Sequence, residues 1–111
     1  MADFLIKQHS VVPSLTGILK DGDGNPVDLS AATSCVFHMR FEKTQAVVIE
    51  DGSCVFDGDR TTGKVTYIWA DGDTDVVGTY FGEFEITWTG DKEQTFPSTG
   101  YIVIEIIGDI A

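Results

Sequence analysis

Residues 80–88 carry the longest alternating pattern of this 111-residue chain, and the pattern restricts the possible folds more than any other feature. The apolar face consists of Tyr80, Gly82, Phe84, Ile86 and Trp88. The intervening positions are Phe81, Glu83, Glu85 and Thr87. Alternation with a period of two residues predicts a long β-strand with one face on a core and the other largely in water.

Further short strands are predicted on both sides of this strand. They cover residues 4–8, 15–20, 33–41, 46–49, 53–56, 64–69, 93–96 and 101–107, with a hairpin turn at Asp51-Gly52 and one helical turn at 70–74. Roughly seven to nine short strands, separated by Gly- and Asp-rich turns, are typical of a β-sandwich. With no linker or repeat, residues 1–111 are predicted to form a single domain.

The segment before the long strand predicts a particular kind of sandwich. Asp75, Gly78 and Tyr80 resemble the tyrosine corner of immunoglobulin-like domains, in which the phenol bonds back to nearby backbone. The inter-sheet disulfide of those domains would need a cysteine two residues after the tyrosine, where this chain has Gly82. We therefore expect an all-β, immunoglobulin-like antiparallel β-sandwich without that disulfide. Cys35 is expected to be a buried hydrophobe, and a bridge between Cys35 and Cys54 remains open.

The charge balance disfavours two classes of partner. The chain has 18 acidic and 7 basic residues and a formal net charge of −11. Binding to nucleic acid or to an anionic membrane requires clustered Lys and Arg, so neither partner is expected. A signal peptide and an apolar run of about 18 residues are both missing, which predicts a soluble protein made in the cytoplasm.

Two acidic loops are weak candidates for cation binding. Asp21, Asp23 and Asn25 have the spacing of the first three ligands in an EF-hand calcium loop, with Asp28 nearby. Pro26 and Ala32 replace the glycine and the bidentate glutamate that such a loop requires, so a turn is the better interpretation. The second loop contains Asp71, Asp73 and Asp75, which are better explained as turn caps and solvated carboxylates.

No catalytic motif is present in the sequence. His9 and His38 lack ligands at metal-binding spacing, and no serine lies in a nucleophile elbow. We therefore expect no enzymatic activity and no cofactor. A sugar-binding platform of aromatic residues is an alternative, but most of them fall on faces predicted to point inward, and those are Tyr67, Trp69, Tyr80, Trp88 and Tyr101.

The last strand suggests where a partner docks. Ile102, Ile104 and Ile106 are apolar on one face, and Tyr101, Val103 and Ile107 are apolar on the other. A strand that is apolar on both faces needs cover on both. That cover is either another part of the chain or a subunit interface. The predicted interface consists of Phe4, Ile6, Ile102, Ile104 and Ile106.

An ordered series of short blocks resembles a family of tailed-bacteriophage virion proteins, similar to the N-terminal domain of baseplate upper proteins. The blocks are Asp3-Phe-Leu-Ile-Lys-Gln8, Pro13-Ser-Leu-Thr16, Leu19-Lys-Asp-Gly-Asp-Gly-Asn-Pro-Val-Asp-Leu29, Val36-Phe-His-Met-Arg40, Thr62-Gly-Lys-Val-Thr-Tyr-Ile-Trp69, Gly72-Asp-Thr-Asp75, Gly78-Thr-Tyr80, Phe84-Glu-Ile86 and Thr95-Phe-Pro-Ser-Thr-Gly-Tyr101. They extend over nearly the whole chain.

The resemblance implies an immunoglobulin-like sandwich with a structural role in the virion. In related baseplate proteins this domain attaches a receptor-binding apparatus to the particle. Because the chain ends at Ala111, we expect it instead to decorate, cement or cap a tail, baseplate, connector or capsid. Its expected partners are other virion proteins and copies of itself, in a multimeric assembly. The alternative function is a carbohydrate- or host-surface-binding module carried on the virion.

Overall fold

The structure, a computed structural model, describes residues 2–98 and 100–110 and is all-β. Eight strands follow one another along the chain, with a short 3₁₀-helix, η1, at Arg60–Thr62. The strands are β1 (Phe4–Lys7), β2 (Leu15–Ile18), β3 (Ala32–Phe41), β4 (Val47–Phe56), β5 (Lys64–Tyr67), β6 (Gly78–Trp88), β7 (Lys92–Phe96) and β8 (Ile102–Ile107). Within the described residues, no helix is long and apolar enough to cross a membrane.

The strands form one continuous hydrogen-bonded order, β1-β8-β6-β3-β4-β5-β2. β6 pairs along one edge with β3, and along the other edge with β8 through residues 78–82 and with β7 through residues 84–88. The ladder between β1 and β8 is parallel, whereas the other pairings are antiparallel. The two ends of the order, β1 and β2, approach each other across a groove, so the sheet is nearly closed into a barrel.

The predicted hairpin at residues 46–56 is wrong, because β4 runs through it as one strand. A type I′ turn needs positive φ at both central residues, and here Asp51 has a φ of 54° while Gly52 has no positive φ. The register of β4 against β3 shifts next to Asp51, as expected for a β-bulge. After the bulge, residues 54–56 pair with β5, so β4 carries the chain from one half of the sheet to the other.

The helical turn predicted at residues 70–74 is a hydrogen-bonded turn without a helix, and η1 lies in a predicted loop. Asp59 caps η1, because its carboxylate accepts hydrogen bonds from the Thr61 amide at 2.9 Å and the Thr61 hydroxyl at 2.8 Å. These bonds hold the pKa of Asp59 below its usual range. The side chain of Asp59 therefore stabilises a helical turn in this loop.

The core forms where the predicted apolar faces meet. Tyr80, Phe84 and Ile86 of β6 are buried, and so are Cys35, Phe37 and Met39 of β3. The ring of Phe37 lies at the centre, with ring centroids 4.9 Å from Tyr67 and 5.2 Å from Phe84. Gly82 permits this arrangement, because a Cβ at residue 82 would lie 2.8 Å from the Phe37 ring and 2.9 Å from Ile104 Cδ1. At residue 82, where the disulfide of immunoglobulin-like domains would need a cysteine, this chain instead packs the Phe37 ring against a glycine.

Candidate docking groove

A concave site lies between the two ends of the strand order, and we call it the docking groove. Its volume is about 480 Å³, within the usual range for binding sites. One wall is formed by Leu15 and Gly17 of β2, the floor by Phe84, and the opposite wall by Phe4, Phe96 and Ile102. The lining is mostly apolar, so the groove offers hydrophobic contact rather than a set of reactive groups.

Gly17 brings β2 close to the floor of the groove. A Cβ on Gly17 would lie 3.0 Å from Cε2 of Phe84, so the ring packs directly against the backbone of β2. On the same strand, Leu15 is buried, whereas Thr16 and Ile18 point outward and are exposed. Less exposed residues thus alternate with exposed ones along β2, as in a strand at a sheet edge, and all four residues of β2 border the groove.

The rim of the groove is charged. Asp3, Lys20 and Asp21 line its mouth, and all three are exposed. The Asp3 carboxylate accepts a hydrogen bond from the Val103 amide at 2.8 Å, which fixes it beside β8. The rim thus holds two carboxylates and one ammonium group, on a chain whose formal net charge is −11.

The structure corrects most of the predicted interface. Ile6, Ile104 and Ile106 are at most 4% exposed, so they belong to the core and cannot contact a partner unless the fold opens. Of the two apolar faces predicted for the last strand, the one with Ile104 and Ile106 points into the core, and Tyr101 and Ile107 are exposed. Phe4 and Ile102 are partly buried and line the docking groove, so these two remain accessible.

The structural corner contains the hydrogen bond expected of it. The Tyr80 hydroxyl donates to the Val76 carbonyl at 2.6 Å, four residues upstream. Burial raises the pKa of Tyr80. Gly78 has a φ of 148°, and a Cβ there would lie 2.5 Å from the ring of Phe41. Asp75 lies 3.0 Å from Nδ1 of His9, which connects the corner to the segment after β1.

The first acidic loop uses its carboxylates to hold its own turns. Asp21 Oδ1 accepts hydrogen bonds from the amides of Asp23 and Asn25 at 2.9 and 3.0 Å. Asp28 accepts from both the amide and the hydroxyl of Ser30, which lowers the pKa of Asp28. All of these residues are exposed, and they are not among the clustered potential metal ligands of the described residues.

In the second acidic loop, Asp73 has a structural role. Its Oδ2 accepts from the Tyr67 hydroxyl at 2.6 Å and from the Ala70 amide at 2.8 Å. Burial is the main cause that raises the pKa of Tyr67, and the hydrogen bond to Asp73 raises it further. Asp71 is exposed, and Asp75 belongs to the corner, so the three carboxylates have separate surroundings.

Sequence reasoning missed the one group of potential metal ligands that the described residues contain: His38, Asp51 and Glu85. His38 Nε2 lies 3.7 Å from a carboxylate oxygen of each acidic residue. The Asp51 amide, however, donates to His38 Nδ1 at 3.2 Å. A neutral imidazole that accepts at Nδ1 carries its proton on Nε2, where a metal would have to bind. The arrangement thus favours an Nε2–H directed at two carboxylates over a metal site.

The two cysteines are free thiols, so the bridge left open by the sequence is not formed in this structure. The thiol of Cys54 has a raised pKa because of a hydrogen bond with Cys35, followed by burial. A protonated, partly buried thiol is a poor nucleophile, because reactivity belongs to the thiolate. The pair therefore gives no support for covalent catalysis.

A second surface feature lies on the outer side of the sheet. The rings of Phe81 and Tyr101 stack with their centroids 5.3 Å apart, and the guanidinium of Arg40 lies 4.6 Å from the Tyr101 ring. Tyr101 is 44% exposed, whereas Tyr67, Trp69 and Tyr80 are buried. The sequence had placed Tyr101 among mostly inward-pointing aromatics, and it gave no sign of the contacts with Phe81 and Arg40.

Comparison with models of known protein families found no family that matches the chain, and comparison with curated proteins found no relative.

Proposed function

We propose that the protein is a non-enzymatic structural component of a bacteriophage particle, on which many copies dock through the docking groove. The observation that carries this proposal is the groove itself, an open apolar site between two strand edges. The block resemblance to phage virion proteins supplies the biological setting. Among the described residues, the sites that could hold reactive groups are engaged in turns, in the core or in hydrogen bonds.

We further propose that the strand order is a variant of the immunoglobulin-like sandwich. In that fold, strands B and E share one sheet, and C, F and G share the other. The pairing of β2 with β5 corresponds to the former, and the neighbours β3, β6 and β8 correspond to the latter. The bond from Tyr80 to Val76 supports the same assignment. The continuous β4, which joins the two halves, is where this chain departs from the standard sandwich.

Quantitative mass spectrometry of purified particles tests the virion assignment. Cells are infected with the phage that encodes the protein, and the particles are purified on a density gradient. The particles should contain several copies of the protein, in a fixed ratio to the capsid protein. A host cytoplasmic protein carried along in the gradient serves as the control for contamination. Recovery of the protein only in the soluble host fraction would refute the proposal.

A carbohydrate- or host-surface-binding module is the second candidate, and the outer aromatic pair favours it. Exposed aromatic rings stack on sugars, and Tyr101 with Phe81 is such a surface. Arg40 already lies against the Tyr101 ring, which reduces the area left for a sugar. Hits on a glycan array that disappear with Tyr101→Ala would favour this function, and an array without hits would dismiss it.

A further inference from the structure

We propose that the occupant of the docking groove is an extended strand of a partner protein, apolar along one face and flanked by Lys or Arg, which pairs with the free edge of β2. This inference rests on the proposed function for the identity of the partner as another virion protein, but the binding mode rests on the groove alone. Addition of a strand to an open sheet edge combines main-chain hydrogen bonds with pockets for alternate side chains.

The backbone of β2 has the hydrogen-bonding groups that such a strand needs. Within the part of the chain that the structure describes, β2 pairs with β5 only. The Leu19 amide donates to the Gly63 carbonyl at 2.8 Å, on the β5 side. Because backbone groups point to opposite edges at successive residues, those of Gly17 also point to β5, and those of Thr16 and Ile18 point to the open edge. Two consecutive sets of donors and acceptors are therefore available.

The groove lies directly beside this edge and fits the other part of a strand. A strand that pairs with β2 presents every second side chain to the same side as Leu15 and Gly17. Those side chains would contact Phe4 and Ile102, the partly buried residues of the opposite wall, whereas Phe84 and Phe96 are buried beneath them. Alternate apolar residues, such as Val or Ile, are thus the chemistry that the groove selects.

Charge distinguishes a partner from a second copy of this chain. Each copy carries a net charge of −11, so two copies repel when their surfaces approach. The rim of the groove carries two carboxylates, Asp3 and Asp21, and one ammonium group, Lys20. A strand with basic ends gains attraction at this rim, whereas an acidic strand does not. The occupant is therefore inferred to be a different, basic protein segment.

The test is an NMR titration of the ¹⁵N-labelled full chain with the synthetic peptide KVTVTVK. We expect saturable shifts of the amides of Thr16 and Ile18 and of residues around Phe84. Two control peptides separate the contributions. The same peptide with N-methyl groups on alternate residues cannot donate the ladder hydrogen bonds, and DVTVTVD reverses the end charges. We expect each control peptide to bind at least about tenfold more weakly than KVTVTVK, because each loses one or two hydrogen bonds or ion pairs.

Matched variants test the edge itself. Ile18→Pro removes an amide that points to the open edge, and Ile18→Thr keeps that amide while changing the same exposed side chain. We expect Ile18→Pro to weaken binding of KVTVTVK about tenfold and Ile18→Thr to change it less than twofold. If Ile18→Pro does not fold, as judged by its NMR spectrum, Ser98→Trp gives a second test by filling the groove mouth. That variant should also lose binding.

Several results would overturn the inference. Equal binding of the N-methylated peptide would mean that the groove holds apolar groups without strand pairing. Absence of shifts at millimolar peptide, or shifts centred on Tyr101 and Phe81, would remove the groove as a strand site. Dimerisation of the chain in light scattering that Ser98→Trp abolishes would make a second copy the occupant.

Incorporation into particles separates this inference from the proposed function. If the protein is present in particles but Ile18→Pro is incorporated normally, strand addition fails and the virion role stands. If KVTVTVK binds as expected but the protein is absent from particles, the virion role fails and the strand site stands.

Discussion

The strands β6 and β2 differ in how many of their edges are hydrogen-bonded to a neighbouring strand. β6 is hydrogen-bonded on both edges, and Tyr80, Phe84 and Ile86 on its inner face are buried. β2 is bonded on one edge among the described residues, and its inner face borders the docking groove. We call these regions the closed side and the open side. The closed side buries its apolar side chains within the fold, while the open side leaves a strand edge and part of its apolar surface accessible.

The largest expected effect is the loss of Ile104 on the closed side. Ile104 is fully buried, so Ile104→Ala should lower the free energy of unfolding by about 2–5 kcal/mol. The matched control is Ile102→Ala on the same strand, which removes a partly buried side chain at the groove wall and should cost about half as much or less. Urea unfolding of both variants gives the comparison. Equal losses would contradict the distinction between the two sides.

A pair of glycines tests the same distinction through crowding. A methyl group at residue 82 meets Phe37 and Ile104 in the closed core, so Gly82→Ala should cost about 1–3 kcal/mol. At residue 17 the nearest atom to an added Cβ is Cε2 of Phe84 at 3.0 Å, a looser contact than the 2.8 Å contacts at residue 82. We expect a smaller loss for Gly17→Ala in thermal unfolding, with Gly108→Ala as an uncrowded control. A larger loss at residue 17 would show that the groove floor is as tightly packed as the core.

These sites also show how far the sequence can predict the molecule. The alternation of residues 80–88 identified the inner face of β6, because a period of two depends only on local backbone geometry. Asp51-Gly52 misled, since a bulge and a hairpin turn use the same residue types and differ in the φ of the second residue. In β8 both faces are apolar, so the pattern could not distinguish the face of Ile104 from that of Tyr101.

The docking groove was beyond sequence reasoning for a different reason. Its walls come from residues 3–4, 15–22, 84, 96–98 and 102, which are brought together only by the order of the strands. Phe4 and Ile102 were predicted as interface residues on hydrophobic grounds, and they line the groove. The other three predicted residues, Ile6, Ile104 and Ile106, are equally apolar but lie in the core. Hydrophobicity alone therefore does not distinguish a core residue from a residue that lines the groove.

The corner hydrogen bond offers a test of intermediate size on the closed side. Tyr80→Phe removes the hydroxyl that donates to Val76 and keeps the buried ring, so it should cost about 0.5–1.5 kcal/mol. Tyr101→Phe changes an exposed tyrosine and should have almost no effect. Both can be measured by urea unfolding at pH 7. A neutral Tyr80→Phe would mean that the corner does not contribute to stability.

The smallest expected effect is a loss of stability at alkaline pH. Burial raises the pKa of Tyr67, with a further contribution from its bond to Asp73, and burial also raises that of Tyr80. The folded state therefore keeps protons that the unfolded state loses above about pH 10, so stability is intact below that pH and falls above it. Tyr67→Phe should make the decline between about pH 9 and 11 shallower. An unchanged slope would contradict the stated cause.

Hydrogen exchange of the β2 amides tests the division between closed and open sides most directly. In the free protein, the amides of Gly17 and Leu19 should exchange slowly, and those of Thr16 and Ile18 should exchange fast. Saturation with KVTVTVK should protect Thr16 and Ile18 and leave β3 and β6 unchanged. Slow exchange of Thr16 and Ile18 in the free protein, or protection that appears only around Tyr101, would contradict the assignment of the open side as the docking site.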